Sequence, residues 1–222
     1  MKKFLLIGLM FVSSLAFSQC FFGVSAGISN YYGDLSKSIS PFSSGSARGA
    51  LGIEYGKAIN NKWDFIAGFN MAGLAADDIA SSRLGQVQRG YEFKSLLLEF
   101  QGLLNLELFS IELEGGSKLT AGTSTGLSLI YFNPVHADPA LSAMALQMED
   151  YNNFGLAIPV NLYLGLESSG VVYFTQLDTR YVFTDHLDGL SELVNPNGRD
   201  SFGYFRFGAR IPMQNLIGKD CL

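Results

Sequence analysis

Apolar and polar residues alternate with period two over eight segments of the chain, 21–30, 46–57, 62–74, 92–108, 111–132, 152–166, 171–184 and 201–212. Side chains switch faces at every residue of a strand, so such alternation predicts strands with one apolar and one polar face. From Phe174 to Thr184 the apolar face takes Leu177, Tyr181 and Phe183 with Thr175 and Thr179, while Gln176, Asp178 and Arg180 take the other. The connections alternate as well. Those near Ile59-Asn60-Asn61, Phe109-Ser110 and Glu167-Ser168-Ser169-Gly170 are short, whereas 31–45, 75–91, 133–151 and 185–200 are long and rich in Ser, Gly, Asn, Asp and Pro. A soluble sandwich also alternates, but it has no reason to put its short turns at one end and its long loops at the other. Short periplasmic turns and longer external loops belong to an all-β, eight-stranded antiparallel up-and-down transmembrane β-barrel.

Parity then assigns the two faces. Outward toward lipid go Val24 and Ile28, Leu51 and Ile53, Trp63 and Phe65, Leu96, Leu98 and Phe100, Leu127 and Leu129, Leu156, Ile158, Val160 and Leu162, and Phe205 and Phe207. Inward go Gly, Ser, Thr and nearly all the strand charges: Arg48, Lys118, Arg180, Arg206 and Arg210 against Glu54, Asp64, Glu99, Glu107 and Asp178. A barrel of about eight strands is just wide enough to be filled by its own side chains, and buried charges persist when paired and hydrogen-bonded. Equal numbers of the two signs therefore favour an ion-paired core over an ion-conducting lumen.

Residues 1–18 read as a secretory signal peptide, with Lys2 and Lys3 before an apolar stretch from Phe4 to Val12 and the small-residue site Ala16-Phe17-Ser18. The barrel domain is then 19–222, exported to the outer membrane and surrounded by its lipid. No later segment offers the roughly 20 uninterrupted apolar residues of a spanning helix, so any spanning is by strands. The low charged fraction, 16%, suits a wall that faces lipid. A formal charge of −5, more negative still without Lys2 and Lys3, speaks against a nucleic-acid partner.

Material for catalysis is sparse. His136 and His186 both fall in predicted external loops and neither makes a metal pattern, so no metal and no cofactor is expected. A lipid hydrolase at the rim could be assembled from His186, Ser191 and Glu192, but a polar loop holds such residues for local reasons, and no G-x-S-x-G elbow, P-loop or dinucleotide fingerprint is present. The chain has two cysteines, Cys20 and Cys221, one at each end of the mature sequence. Barrel closure brings the first and last strands together on the periplasmic side, where disulfides persist. A bond between the two, or from either one to a periplasmic partner, is open. Lipidation of Cys20 fits less well, because Phe17-Ser18-Gln19 lacks the usual small residue before it.

Four loop-proximal motifs carry a family likeness: Ser29-Asn30-Tyr31-Tyr32-Gly33-Asp34-Leu35, Phe93-Lys94-Ser95 running into Leu98-Glu99-Phe100, Tyr131-Phe132-Asn133-Pro134, and Arg180-Tyr181-Val182-Phe183-Thr184-Asp185-His186-Leu187-Asp188-Gly189-Leu190-Ser191. On these the chain resembles the PorG-like outer-membrane β-barrel family of the Bacteroidota type IX secretion and gliding apparatus. The resemblance implies a non-enzymatic barrel that contacts a periplasmic ring of lipoprotein and partner subunits around the secretion channel. In that family His186 is usually Tyr and Gly189 usually Asp, which lends no support to a catalytic His186. Asp34, Asp185 and Asp188 are either binding groups or turn formers whose carboxylates cap loop N–H groups.

The two disulfide alternatives separate on a non-reducing gel. An internal bond gives a faster monomer band that disappears in both Cys20→Ser and Cys221→Ser, a partner bond gives a high-mass band lost on reduction, and free thiols in untreated protein exclude both.

Overall fold

The computed structural model describes residues 19–32, 46–77, 92–137, 152–184, 187 and 200–214. The signal segment 1–18 and Gly33, Asp34, Asp185, His186, Asp188, Ser191, Glu192 and Cys221 lie outside the described residues. Eight strands follow in chain order: β1 (Cys20–Tyr32), β2 (Arg48–Ala58), β3 (Trp63–Asp77), β4 (Glu92–Glu112), β5 (Lys118–His136), β6 (Phe154–Ser168), β7 (Val171–Val182) and β8 (Ser201–Pro212). Each pairs antiparallel with its sequence neighbours, and β8 closes on β1. The fold is the expected eight-stranded up-and-down barrel. No helix among the described residues is long and apolar enough to cross a membrane, and in hydrocarbon only a closed sheet satisfies every strand N–H and C=O.

The register fixes the barrel's stagger. Cys20 pairs with Lys57, then Phe65, Leu104, Thr125, Val160, Thr179 and Gly203 follow around the wall, and Gly203 pairs back onto β1 at Asn30. One circuit thus climbs from position 20 to position 30, a shear of ten residues over eight strands, so the strands are tilted and the lumen is narrow.

Parity holds through the middle of every strand and breaks at a few strand ends, most of all on β4 beyond Glu107. Leu127 is 65% exposed and Phe100 62%, with Val24, Leu51, Ile53, Phe65, Leu104, Leu156, Leu162 and Phe207 exposed beside them, while Leu97, Leu103, Ile130 and Phe174 between them are buried. An apolar outer wall of this extent is stable only against lipid. Aromatic rings mark its edges. Trp63 and Tyr173 sit at the strand ends joined by short turns, expected to be periplasmic, and Tyr131 with Phe154 (centroids 5.1 Å apart) and Tyr181 with Phe183 (5.8 Å) sit at the opposite, long-connection ends.

Three expectations need correction. The β4–β5 turn lies at Leu113–Ser117, not at Phe109–Ser110. Its backbone takes positive φ at Gly115 (87°) and Gly116 (80°), which glycine adopts without a Cβ clash. The strands also run further outward than the long connections suggested. Asn133, Pro134 and His136 lie within β5, opposite Leu96, Ser95 and Phe93 on β4, rather than in a loop. The Asn133 N–H donates to Ser95 Oγ at 3.1 Å, which ties the two strands just before the proline, where a main-chain donor is missing. Finally, the lumen is not uniformly polar. Tyr31, Leu74, Phe93, Leu97, Ile130, Phe132, Val182 and Phe202 form a buried apolar cluster at its external end.

Arginine substitution should report depth. Leu127→Arg, four positions inside Tyr131 on β5, is expected to cost about 2 to 4 kcal/mol, and Leu129→Arg, nearer the interface, less. Reversible unfolding from vesicles in urea measures both, and equal costs would contradict the depth assignment.

Candidate functional site

What the strands hold together is the lumen, and Arg180 organises it. The residue lies on the inward face of β7 with no solvent exposure, as does Glu99 on β4. Its Nε donates to Glu99 Oε1 at 2.6 Å, Nη2 to Glu99 Oε2 (3.3 Å) and Gln101 Oε1 (2.9 Å), and Nη1 to Asn161 Oδ1 (2.7 Å) and the Thr179 carbonyl (3.3 Å). Five N–H groups meet five acceptors, the full capacity of a guanidinium. Glu99 is saturated in turn, since Oε2 also accepts from Asn70 Nδ2 at 2.8 Å and Tyr204 Oη at 3.2 Å.

A second pair lies beside the first. Arg206 on β8 contacts Asp178 Oδ2 through Nη2 at 2.6 Å and Nε at 2.8 Å, and its Nη1 donates to Asn70 Oδ1. Gln176 Nε2 donates to the other Asp178 oxygen. The Tyr204 ring lies between the two guanidinium groups, 5.0 Å from each, where its π face attracts both cations. Gly52 makes the close approach possible: a Cβ there would fall 2.6 Å from Asn70 Oδ1 and 2.8 Å from Arg206 Nη1.

Toward the periplasm, Arg210 Nε binds Glu54 Oε1 at 2.5 Å. The Arg210 guanidinium sits over the Phe174 (4.7 Å), Phe21 (5.2 Å) and Tyr163 (5.4 Å) rings. At the rim, Lys118 and Glu107 are 3.4 Å apart and partly exposed. Four of the five expected cations therefore pair with four of the five anions. Arg48 and Asp64 do not, because β2 begins at the external end where β3 ends, and they sit at opposite mouths. Arg48 donates to the Ala47 carbonyl at 2.9 Å, and Asp64 accepts from Asn105 Nδ2 at 2.9 Å. Among the described residues neither makes an ion pair, so Arg48 lies outside the expected network.

The external mouth is capped. Buried Asp200 accepts the Tyr31 hydroxyl on one oxygen and the Leu187 N–H on the other at 2.9 Å, and Leu187 is fully buried. This ties Leu187, from the Arg180-to-Ser191 motif, to the start of β8 and to β1. Of the other motif residues, Asn30 is buried and accepts from Ser46 Oγ at 3.3 Å, the Tyr32 carbonyl accepts from Ser201 Oγ at 3.1 Å, and Tyr181 faces lipid. Asn70, Gln101, Asn161 and Tyr204, which complete the network, were not singled out from the sequence. Their inward parity was the available signal. Cys20 is buried and its Sγ accepts from Tyr55 Oη at 3.0 Å. No cysteine is free among the described residues. His136 is buried at the end of β5, with its ring 6.5 Å from that of Phe93. Among the described residues no three His, Cys, Asp or Glu side chains converge as a metal site would require.

An antiparallel eight-stranded barrel with an apolar outer wall and a lumen packed with ion pairs is a small transmembrane β-barrel. Residues 1–213 match the family described as a domain of unknown function, DUF6089, and the chain belongs to that family. Among curated proteins none matches. Solved structures similar in fold include Neisserial surface protein A (11% identity, TM-score 0.45, 86% of this chain and 96% of that one). A major outer membrane protein from Thermus thermophilus aligns at 14% identity, TM-score 0.44, over 87% and 99%. The outer membrane enzyme PagL aligns at 9% identity, TM-score 0.42, over 86% and 99%. Likenesses this distant carry no role or ligand across.

Removing one member of the central pair should be severe. Arg180→Ala leaves Glu99 buried without its cation and is expected to cost about 3 to 5 kcal/mol, while the double variant Glu99→Leu, Arg180→Met should recover most of it. Urea unfolding followed by heat-dependent gel migration compares the three proteins, and an Arg180→Ala barrel as stable as wild type would contradict the network's role.

Proposed function

We propose that this chain is an outer-membrane anchoring component of a type IX secretion or gliding complex, with a structural rather than a catalytic role. The supporting observation is the filled lumen. Buried Arg180, Glu99, Tyr204, Phe93, Phe132 and Phe202 all lie on inward positions and, among the described residues, fill the lumen with side chains that are hydrogen-bonded or packed against one another. Such a barrel works through its surfaces: a lipid-facing wall that holds it in the outer membrane and two rims that can meet other subunits. The resemblance of the Asn30-to-Asp34, Asn133-Pro134 and Arg180-to-Ser191 motifs to the PorG-like family selects a secretion complex among such assemblies, and with it periplasmic lipoprotein and ring subunits as partners.

The test is crosslinking in native membranes followed by affinity purification of a tagged chain. Co-isolation of the same periplasmic lipoprotein and ring subunits in stoichiometric amounts is the expected result, and an uncomplexed barrel would end the proposal. Two measurements address the other classes. Purified barrel in planar bilayers should show no steady conductance, and His186→Ala cells should keep unchanged lipid A and phospholipid profiles. A stable conductance would establish the channel, and an altered lipid profile would establish the rim hydrolase.

A further inference from the structure

The periplasmic ends of the strands are not level. With ten residues of shear over eight strands, equal height shifts by a little more than one residue per strand, so the end of β3 at Trp63 is level with β4 near Glu107, β6 near Leu166 and β8 near Ile211. The β2–β3 turn (59–62) and the β6–β7 turn (169–170) close within a few residues of that level. β4 instead continues to Glu112 and turns only at Leu113–Ser117. On the same reckoning β5 is level near Thr120, so past that level the β4–β5 hairpin carries about four paired positions on β4 and two to three on β5, roughly 6 to 10 Å along the barrel axis.

The departure is built in. A register shift between Glu107 and Phe109 inserts Leu108 as a β-bulge, which bends and twists the strand at the point where β3 ends. Trp63 opposite Leu106 is the last β3 partner, apart from one bond in which the Glu107 N–H donates to the Lys62 carbonyl at 2.8 Å. Beyond it, β4 pairs with β5 alone among the described residues. The Leu113 N–H donates to the Ser117 carbonyl at 2.7 Å, and main-chain groups of an antiparallel pair alternate sides. Phe109 and Ile111 therefore bond toward β5, while Ser110 and Glu112 turn N–H and C=O to the side β3 has vacated. Beside this open edge Leu108, Phe109, Ile111 and Leu113 are all exposed, as are the carboxylates of Glu112 and Glu114. The stretch from Leu108 to Leu113 carries no lysine or proline; its single charge is the carboxylate of Glu112, which repels an acidic strand and attracts a basic one.

We propose that Leu108–Leu113 is a docking edge onto which an extended segment of a periplasmic protein adds as a strand. Six residues match an ordinary strand in length. Main-chain bonds from Ser110 and Glu112 supply the pairing, and alternate side chains supply the selectivity. On the outward face the segment sets apolar residues against Phe109 and Ile111. On the other it brings cations to Glu112 and Glu114, so its chemistry is alternating apolar and basic. The inference deepens the anchoring role by naming the surface and the kind of segment, and it rests on that role.

The probe is a labelled, acetylated hexapeptide of alternating Val and Lys, titrated by fluorescence anisotropy onto the full barrel in phosphatidylcholine nanodiscs. Saturable binding is expected, with none by a peptide of the same composition carrying a central D-amino acid pair. Ser110→Pro removes an edge-facing N–H without touching the β4–β5 ladder, and Phe109→Asp removes the apolar contact. Each should weaken binding at least about tenfold while heat-dependent gel migration stays that of wild type. In the same nanodiscs Phe109→Cys, in a Cys20→Ser, Cys221→Ser background, should react with a water-soluble maleimide. Absent peptide binding, binding unaffected by Ser110→Pro, or an unreactive Cys at 109 that places the hairpin in lipid would each overturn the proposal. Crosslinked periplasmic subunits found despite such a result would leave the anchoring role standing and remove only this edge.

Discussion

Closure governs this molecule. A strand edge left open in hydrocarbon would expose unpaired N–H and C=O groups at a cost of several kcal/mol each, so the eight strands must form a ring, and a ring of eight with a shear of ten encloses little space. That space cannot be left empty or apolar throughout, because the inward positions are also where the sequence places its charges. The Arg180–Glu99 pair resolves both demands. It reaches from β7 to β4 across the lumen, fills it with a guanidinium and a carboxylate whose hydrogen bonds are all used, and draws in Asn70, Gln101, Asn161 and Tyr204 from four other strand positions.

The inside-out distribution that results differs from that of a soluble barrel in a way that bears on function. Carboxylates engaged as Glu99 and Asp178 are, each held by an arginine and further donors, are poor candidates for proton transfer or for metal binding, since either would first have to break bonds that already compensate their burial. The apolar layer above them, with Phe93, Phe132 and Phe202 under the Asp200–Tyr31–Leu187 cap, closes the external end by a different means. Charge pairing fills the middle of the lumen and hydrophobic contact packs its outer layer among the described residues.

Strand count, strand faces and the inward charges were legible because period-two alternation survives wherever lipid lies on one side and a packed lumen on the other. What sequence could not supply was height along the barrel. Arg48 and Asp64 looked like members of one balanced set, yet parity says only that both point inward, and the stagger of the wall puts them at opposite mouths. The β4–β5 turn was misplaced for a related reason. Ser110 is a common turn residue, whereas the left-handed backbone at Gly115 and Gly116 is the actual requirement, and the bulge at Leu108 reverses the parity that would otherwise have exposed the error. The composition of 133–151 predicts a loop from Asn133 onward, but at the end of β5 the Ser95 hydroxyl meets the Asn133 N–H and the pairing continues to His136.

The same register that fills the lumen also makes the two rims unequal. Shear lifts each strand's partner line toward the external side as it circles the barrel, so hairpins of equal length would end at staggered heights unless strand lengths compensate. On β2, β3, β6 and β7 they do compensate, with turns that close near one level. On β4 and β5 they do not, and the excess is spent on exposed leucine, phenylalanine and isoleucine beside main-chain groups without a strand partner on the β3 side among the described residues. A barrel that only had to sit in lipid would gain nothing from that extension, since it lies below the aromatic positions that mark the interface. The extension therefore adds exposed apolar side chains and main-chain groups beyond the point where β3 ends.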